Sequence, residues 1–179
     1  MSPVDRGDKY GLVSRLLHWS LALLIFSMAA LGAWMVEAGY YARWYLMALN
    51  AHKTLGLMSL AVALLLITWR MIVASPAPLH GLSVAESRAA RWVHRLLLLL
   101  AVIVPFCGYL ISTARQKGVD IFGLFIVPPV VALPDSWRDI TVEVHYWLGY
   151  GVVIVACGHA LAALKHQLWD KNDSLQRML

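Results

Sequence analysis

Charge is scarce in this chain. Asp, Glu, Lys and Arg together make up 14% of its 179 residues, against about a quarter in ordinary soluble domains. With 60% hydrophobic residues and a mean hydropathy of +0.67, a water-soluble globular fold is excluded and a small polytopic membrane protein is indicated. Cysteine is nearly absent too. Cys107 and Cys157 are the only two, both inside apolar runs, so no disulfide framework is expected and both read as buried, inert packing residues. No Cys-x-x-Cys-His occurs, which excludes covalent c-type haem attachment. The apolar runs lack the period-two alternation of a transmembrane barrel, so the spanning elements must be helices.

What is present is four long apolar runs. They predict an all-α, integral membrane four-helix bundle, a single domain over 1–179 with crossings at about 14–37, 44–74, 88–113 and 140–168. The first run is longer than the ~7–15-residue core of a cleaved signal and carries His18 in its first turn, so it is read as a retained helix. Pro76 and Pro78 end the second run. Pro105 should kink the third, which membrane helices tolerate. Residues 114–137 read as the longest loop. Within it, IFGLFIVPPVV is too short and proline-broken to span, and is expected to lie at the membrane interface.

Four crossings put both termini on one side. That side would carry Arg6, Lys9, Arg15, Arg70, Arg88, Arg91, Arg95, Lys165, Lys171 and Arg177, ten of the fifteen basic residues. The other side receives Arg43, Lys53, Arg115, Lys117 and Arg138. This bias predicts cytoplasmic termini, and it accounts for the net charge of +5 without a nucleic-acid partner.

The last apolar run holds His145 and His159, fourteen residues apart. At roughly 100° per residue their side chains return to within about 40° of one another, about 21 Å apart along the helix. Histidine inside a spanning segment is costly unless it is paired or ligating. Topology supplies partners at both depths: His18 with His159 near the cytoplasmic side, His52 with His145 near the outer side. Two imidazoles facing across a bundle core suit bis-histidine ligation of a haem b, and a doubly ligated iron suits electron transfer. One helical turn beyond the four ligands stand Ala22, Gly56, Gly149 and Ala163, small enough to let a flat macrocycle lie against each helix. His94 competes with His18 but is followed by Leu98. His80 and His166 read as solvated. Two imidazoles per level are too few for a closed zinc site.

At these residues the chain resembles the bacterial diheme cytochrome b family (cytochrome b-561), and within it the superoxide oxidases. The resemblance runs through SRLLHW, LNAHKTLG, VEVHYWLGYG, GHALAALKHQLW and the tail DKNDSLQRML. It implies two b haems held by His18, His52, His145 and His159, ubiquinone as electron acceptor, superoxide as periplasmic electron donor, and a multi-pass position in the bacterial inner membrane. Lys53, Arg115, Lys117 and Arg138 are candidates for a rim that attracts the superoxide anion or holds haem propionates, although Asp120, Asp135, Asp139 and Glu143 share that side. Arg91, His94 and Arg95 are candidates for a quinone site. An alternative keeps the haems and makes the chain the electron-transfer subunit of a dehydrogenase or hydrogenase partner. A third, a transporter with a histidine proton relay, needs no haem.

Overall fold

A computed structural model of the chain describes residues 4, 5, 7, 9–77, 79 and 81–179. Four long helices dominate it: α1 (Leu12–Ala38), α2 (Tyr45–Ile72), α3 (Val84–Thr113) and α4 (Asp135–Leu168). Each is long and apolar enough to cross a membrane. The shortest has 27 residues, or about 40 Å at 1.5 Å per residue, against a hydrocarbon core of about 30 Å. Large apolar side chains such as Leu23 (70%) and Ile154 (71%) are exposed on the outside of the bundle, where lipid rather than water would meet them.

Helix α1 packs on α2, α2 on α3 and α3 on α4, while α1 and α4 meet over a much shorter stretch. The mid-depth core joins Leu21, Ala63, Leu66 and Ala101, with Leu17, Val62 and Leu98 against it. Small residues dominate the buried set, including Ser14, Ala48, Thr54, Ser59 and Ala63. That is how membrane helices approach closely when no hydrophobic effect drives them together.

Two boundaries differ from the sequence reading. Helix α3 begins at Val84 because Ser83 caps it: Ser83 Oγ accepts from Glu86 N–H at 3.2 Å, and Glu86 Oε2 accepts from Ser83 N–H at 3.0 Å. Helix α4 begins at Asp135, behind Pro134. Pro105 lies inside α3 without ending it.

The segment expected to be a loop contains an antiparallel hairpin, β1 (Val119–Ile121) paired with β2 (Phe125–Val127). Its turn places Phe122 and Gly123 at positive φ, and Asp120 Oδ1 accepts from Gly123 N–H at 3.1 Å. Thr54 Oγ1 donates to Asp120 O at 3.0 Å and Tyr109 Oη to Pro128 O at 2.5 Å, tying the hairpin to α2 and α3. Val119 and Ile121 are buried against Tyr109, while Leu124 (79%) and Ile126 (66%) face outward. The hairpin therefore caps the end of the bundle opposite the chain termini, here called the loop face.

The tail is more ordered than its polarity predicts. Trp19 Nε1 donates to Met178 O (2.8 Å), Tyr10 N–H to Arg177 O (3.2 Å), Arg177 Nη2 to Ala77 O (2.6 Å) and Ser174 Oγ to Ala163 O (2.9 Å). These bonds strap the tail across the terminal face, joining α1, the α2–α3 loop and α4.

Candidate functional site

Four of the histidines singled out by spacing form two pairs at two depths. His52 on α2 and His145 on α4 have ring centroids 6.1 Å apart with planes at 82°. His18 on α1 and His159 on α4 have centroids 6.4 Å apart at 68°. A metal–imidazole nitrogen bond is about 2 Å, and the centroid lies a little over 1 Å behind its nitrogen, so two rings facing one metal in line sit about 6 Å apart. Both pairs meet that spacing.

His94 sits in the same inner layer, but its ring lies 5.0 Å from that of His159. That is too short for the two to face one metal from opposite sides. His166 is not simply solvated: its Nδ1 lies 2.6 Å from Asp170 Oδ2, and its side chain is 17% exposed. Hydrogen bonds from Lys165 and His166 hold the Asp170 carboxyl below its ordinary range. His80 lies outside the described residues. Cys107 is half-buried and Cys157 exposed on the outside of α4, so Cys157 is a surface thiol and not the buried one expected.

The outer pair is held asymmetrically. His145 Nδ1 lies 2.9 Å from Val104 O. A carbonyl only accepts, so Nδ1 carries the proton and Nε2 keeps its lone pair for a metal. His52 Nδ1 is buried with no partner. Each ring packs on a glycine of a neighbouring helix. A β-carbon on Gly108 would stand 3.0 Å from His145 Cε1, and one on Gly32 would stand 3.2 Å from His52 Cε1. Neither glycine was singled out in the sequence, yet a signal was there. Gly32 lies fourteen residues after His18, and Gly108 fourteen after His94 (18 + 14 and 94 + 14). Helices α1 and α3 thus repeat the interval of α4, with glycine in place of the outer histidine.

The small residues one turn from the four paired histidines behave differently. A β-carbon added to Gly56 or Gly149 would meet nothing within 4 Å, and Ala22 and Ala163 are half-buried. Paired imidazoles at metal spacing, with open helix faces beside the outer pair, fit a flat macrocycle carrying a six-coordinate metal.

The candidate outer cations do not converge. Lys53 lines a cleft of about 370 Å³ with Met47, Asn50, Thr54, Asp120 and Phe122, between α2 and the hairpin. Arg115 and Lys117 are exposed beyond α3, and Arg138 pairs with Asp139 at 3.2 Å. On the terminal face, Arg91 is exposed and Arg95 lies over the Trp92 ring at 5.5 Å.

The profile of the prokaryotic cytochrome b561 family matches residues 9–179. The chain is also similar to cytochrome b561 homolog 2 of Escherichia coli (strain K12), with 38% identity over 179 residues, covering 100% of this chain and 95% of that protein. A match of this extent, on four spanning-length helices, shows that the chain belongs to the prokaryotic cytochrome b561 family, multi-pass proteins of the bacterial inner membrane that carry haem b and transfer electrons.

Proposed function

We propose that this chain is a two-haem superoxide:ubiquinone oxidoreductase. The observation that carries the two-haem part is the pair of histidine couples at two depths, 6.1 Å and 6.4 Å between ring centroids. His52 and His145 hold the outer haem, His18 and His159 the inner one. Held by these four histidines, the two haems would supply one-electron redox chemistry. The cationic bias supports a cytoplasmic terminal face and a periplasmic hairpin.

The chain's own residues then divide the work. Val104 O holds the Nδ1 proton of His145, so its Nε2 stays a ligand. Lys53 forms no ion pair among the described residues and lines the cleft between α2 and the hairpin. It is a candidate cation for drawing an anion toward the outer level. The balance needs two superoxide ions for each quinone: two electrons leave as two dioxygen molecules form, and ubiquinone takes both electrons and two protons to become ubiquinol. The resemblance of the sequence to superoxide oxidases supports this donor and acceptor.

The test is a pulse of superoxide on the purified protein with a water-soluble ubiquinone and no other protein present. Haem reduction followed by quinol formation, both abolished by superoxide dismutase, is the expected result. Haems that stay oxidised under superoxide, yet are reduced when membranes with their dehydrogenases are added, would favour the partner-dependent electron-transfer subunit.

A further inference from the structure

Arg70 is a cation set into the terminal face with no ion-pair partner among the described residues. It lies in the last turn of α2, and its Nε is buried without a hydrogen-bond partner. Its Cζ stands 4.9 Å over the Tyr10 ring. Arg70 stands eighteen residues after His52 on α2, on the same helix face and about 27 Å along the axis, a little beyond the roughly 21 Å that separates the two histidine layers. The preceding residue fixes this turn of α2 to α1, because Trp69 Nε1 donates to Ser14 Oγ at 2.8 Å. The nearby tail fixes Tyr10, whose N–H donates to Arg177 O.

Two other cations on this face have polar partners: Lys165 bridges Glu86 (3.2 Å) and Asp170 (2.7 Å), and Arg177 donates to Ala77 O. Among the described residues no carboxylate pairs with Arg70. A long cationic side chain near a helix end ordinarily extends its head into water. Arg70 is instead half-buried, with its Nε buried and unpartnered among the described residues and its guanidinium on an aromatic ring. An anion from outside the described residues would answer this charge.

We propose that Arg70 anchors a propionate carboxylate of the inner haem. This rests on the reading that His18 and His159 hold a haem. The chemistry matches on three counts. A carboxylate takes the planar guanidinium fork in two parallel hydrogen bonds. Tyr10 holds the plane of that fork by cation–π contact. A fixed positive charge beside a haem favours the reduced form, so Arg70 also raises the potential of the inner site.

The experiment uses the full-length, haem-loaded protein and three variants: Arg70→Gln, Arg70→Lys and, to mark the inner haem, His18→Ala. Spectroelectrochemical titration and the pyridine haemochrome assay are read on each. In Arg70→Gln the inner haem should titrate at a lower potential, with the outer haem unmoved, and inner-haem occupancy should fall. Arg70→Lys keeps the charge and loses the fork, so its potential should stay near wild type while its inner haem transfers to apomyoglobin several-fold faster. If Arg70→Gln does not accumulate, that transfer rate decides, and equal rates for Arg70→Lys and wild type would overturn the proposal. Wild-type potentials and occupancy in Arg70→Gln, with loss of co-purifying anionic phospholipid, would make the anion a lipid phosphate and also overturn it. Failure of the underlying reading looks different: wild-type protein would carry one haem, or His18→Ala would retain two.

Discussion

Gly108 of α3 lies directly beneath the His145 ring, so close that a β-carbon there would stand 3.0 Å from Cε1 and 3.4 Å from Nδ1. The missing side chain lets the ring approach α3 and bring Nδ1 to within 2.9 Å of Val104 O. Val104 and Gly108 are one turn apart on the same face. The glycine and the carbonyl therefore act as one device: the first admits the ring, and the second sets its tautomer.

Gly108→Ala should disturb that device. Overpacking of this kind typically costs about 1–3 kcal/mol, and the ring can yield only by leaving Val104 O. Outer-haem occupancy should drop and its potential should shift, while the inner haem is unchanged. Gly32→Ala, with 3.2 Å to His52 Cε1, should show a weaker form of the same effect. Haem content and potentiometric titration of both variants check this ordering; equal, wild-type values in both would remove the ring-seating role.

Alanine at each ligand should separate the two levels. His52→Ala or His145→Ala should lose the outer haem, and His18→Ala or His159→Ala the inner one. The wild-type spectrum should be low-spin and six-coordinate. A pyridine haemochrome value of two haems per chain, falling to one in each variant, is the expected result. A high-spin ferric band in the wild type would contradict paired axial imidazoles.

His94→Ala should keep both haems. The ring of His94 is 5.0 Å from that of His159, against 6.4 Å for His18, and only the longer distance leaves room for an iron between the nitrogens. Leu98, one turn on, packs against the mid-depth core and leaves no open helix face there. Haem content in His94→Ala and His18→Ala decides between them. Loss of the inner haem from the first, with its retention in the second, would reverse the assignment.

Gly56→Leu and Gly149→Leu test the open faces beside the outer pair. Nothing lies within 4 Å of either added β-carbon, so the polypeptide alone leaves room for a side chain to start there. Helix propensity would even improve by several tenths of a kcal/mol. A bound macrocycle changes the sign, because the leucine carbons would compete with ring atoms for the same space. The outer haem should be lost or loosened and superoxide-dependent quinone reduction should fall, with the inner haem kept. Unaltered spectra and two haems in both variants would make these glycines helix-packing residues.

Much of the site was legible because depth in a membrane is written along each helix in one dimension. A run of apolar residues marks a crossing, and His145 and His159 at a fourteen-residue interval mark two depths on one face. Alternating helix direction then brings His18 to the level of His159 and His52 to that of His145. None of this depends on how the helices pack sideways, so the chain alone determined four spanning helices and two histidine layers.

Lateral packing is where sequence reading stopped. Whether His18 or His94 faces His159 across an iron-sized gap depends on ring positions set by three helices at once. Arg70 looked like one more cytoplasmic cation until the tertiary structure set it on Tyr10 with its Nε buried. The hairpin was missed because two three-residue strands leave no periodic signal. What holds them is distant, Thr54 on one side and Tyr109 on the other. Gly32 and Gly108 carried a legible interval, but an absent side chain shows its purpose only when another helix fills the space. Apolarity and periodicity are properties of one segment, whereas ring seating, capping hairpins and buried charges arise between segments, and so only the tertiary structure decided them.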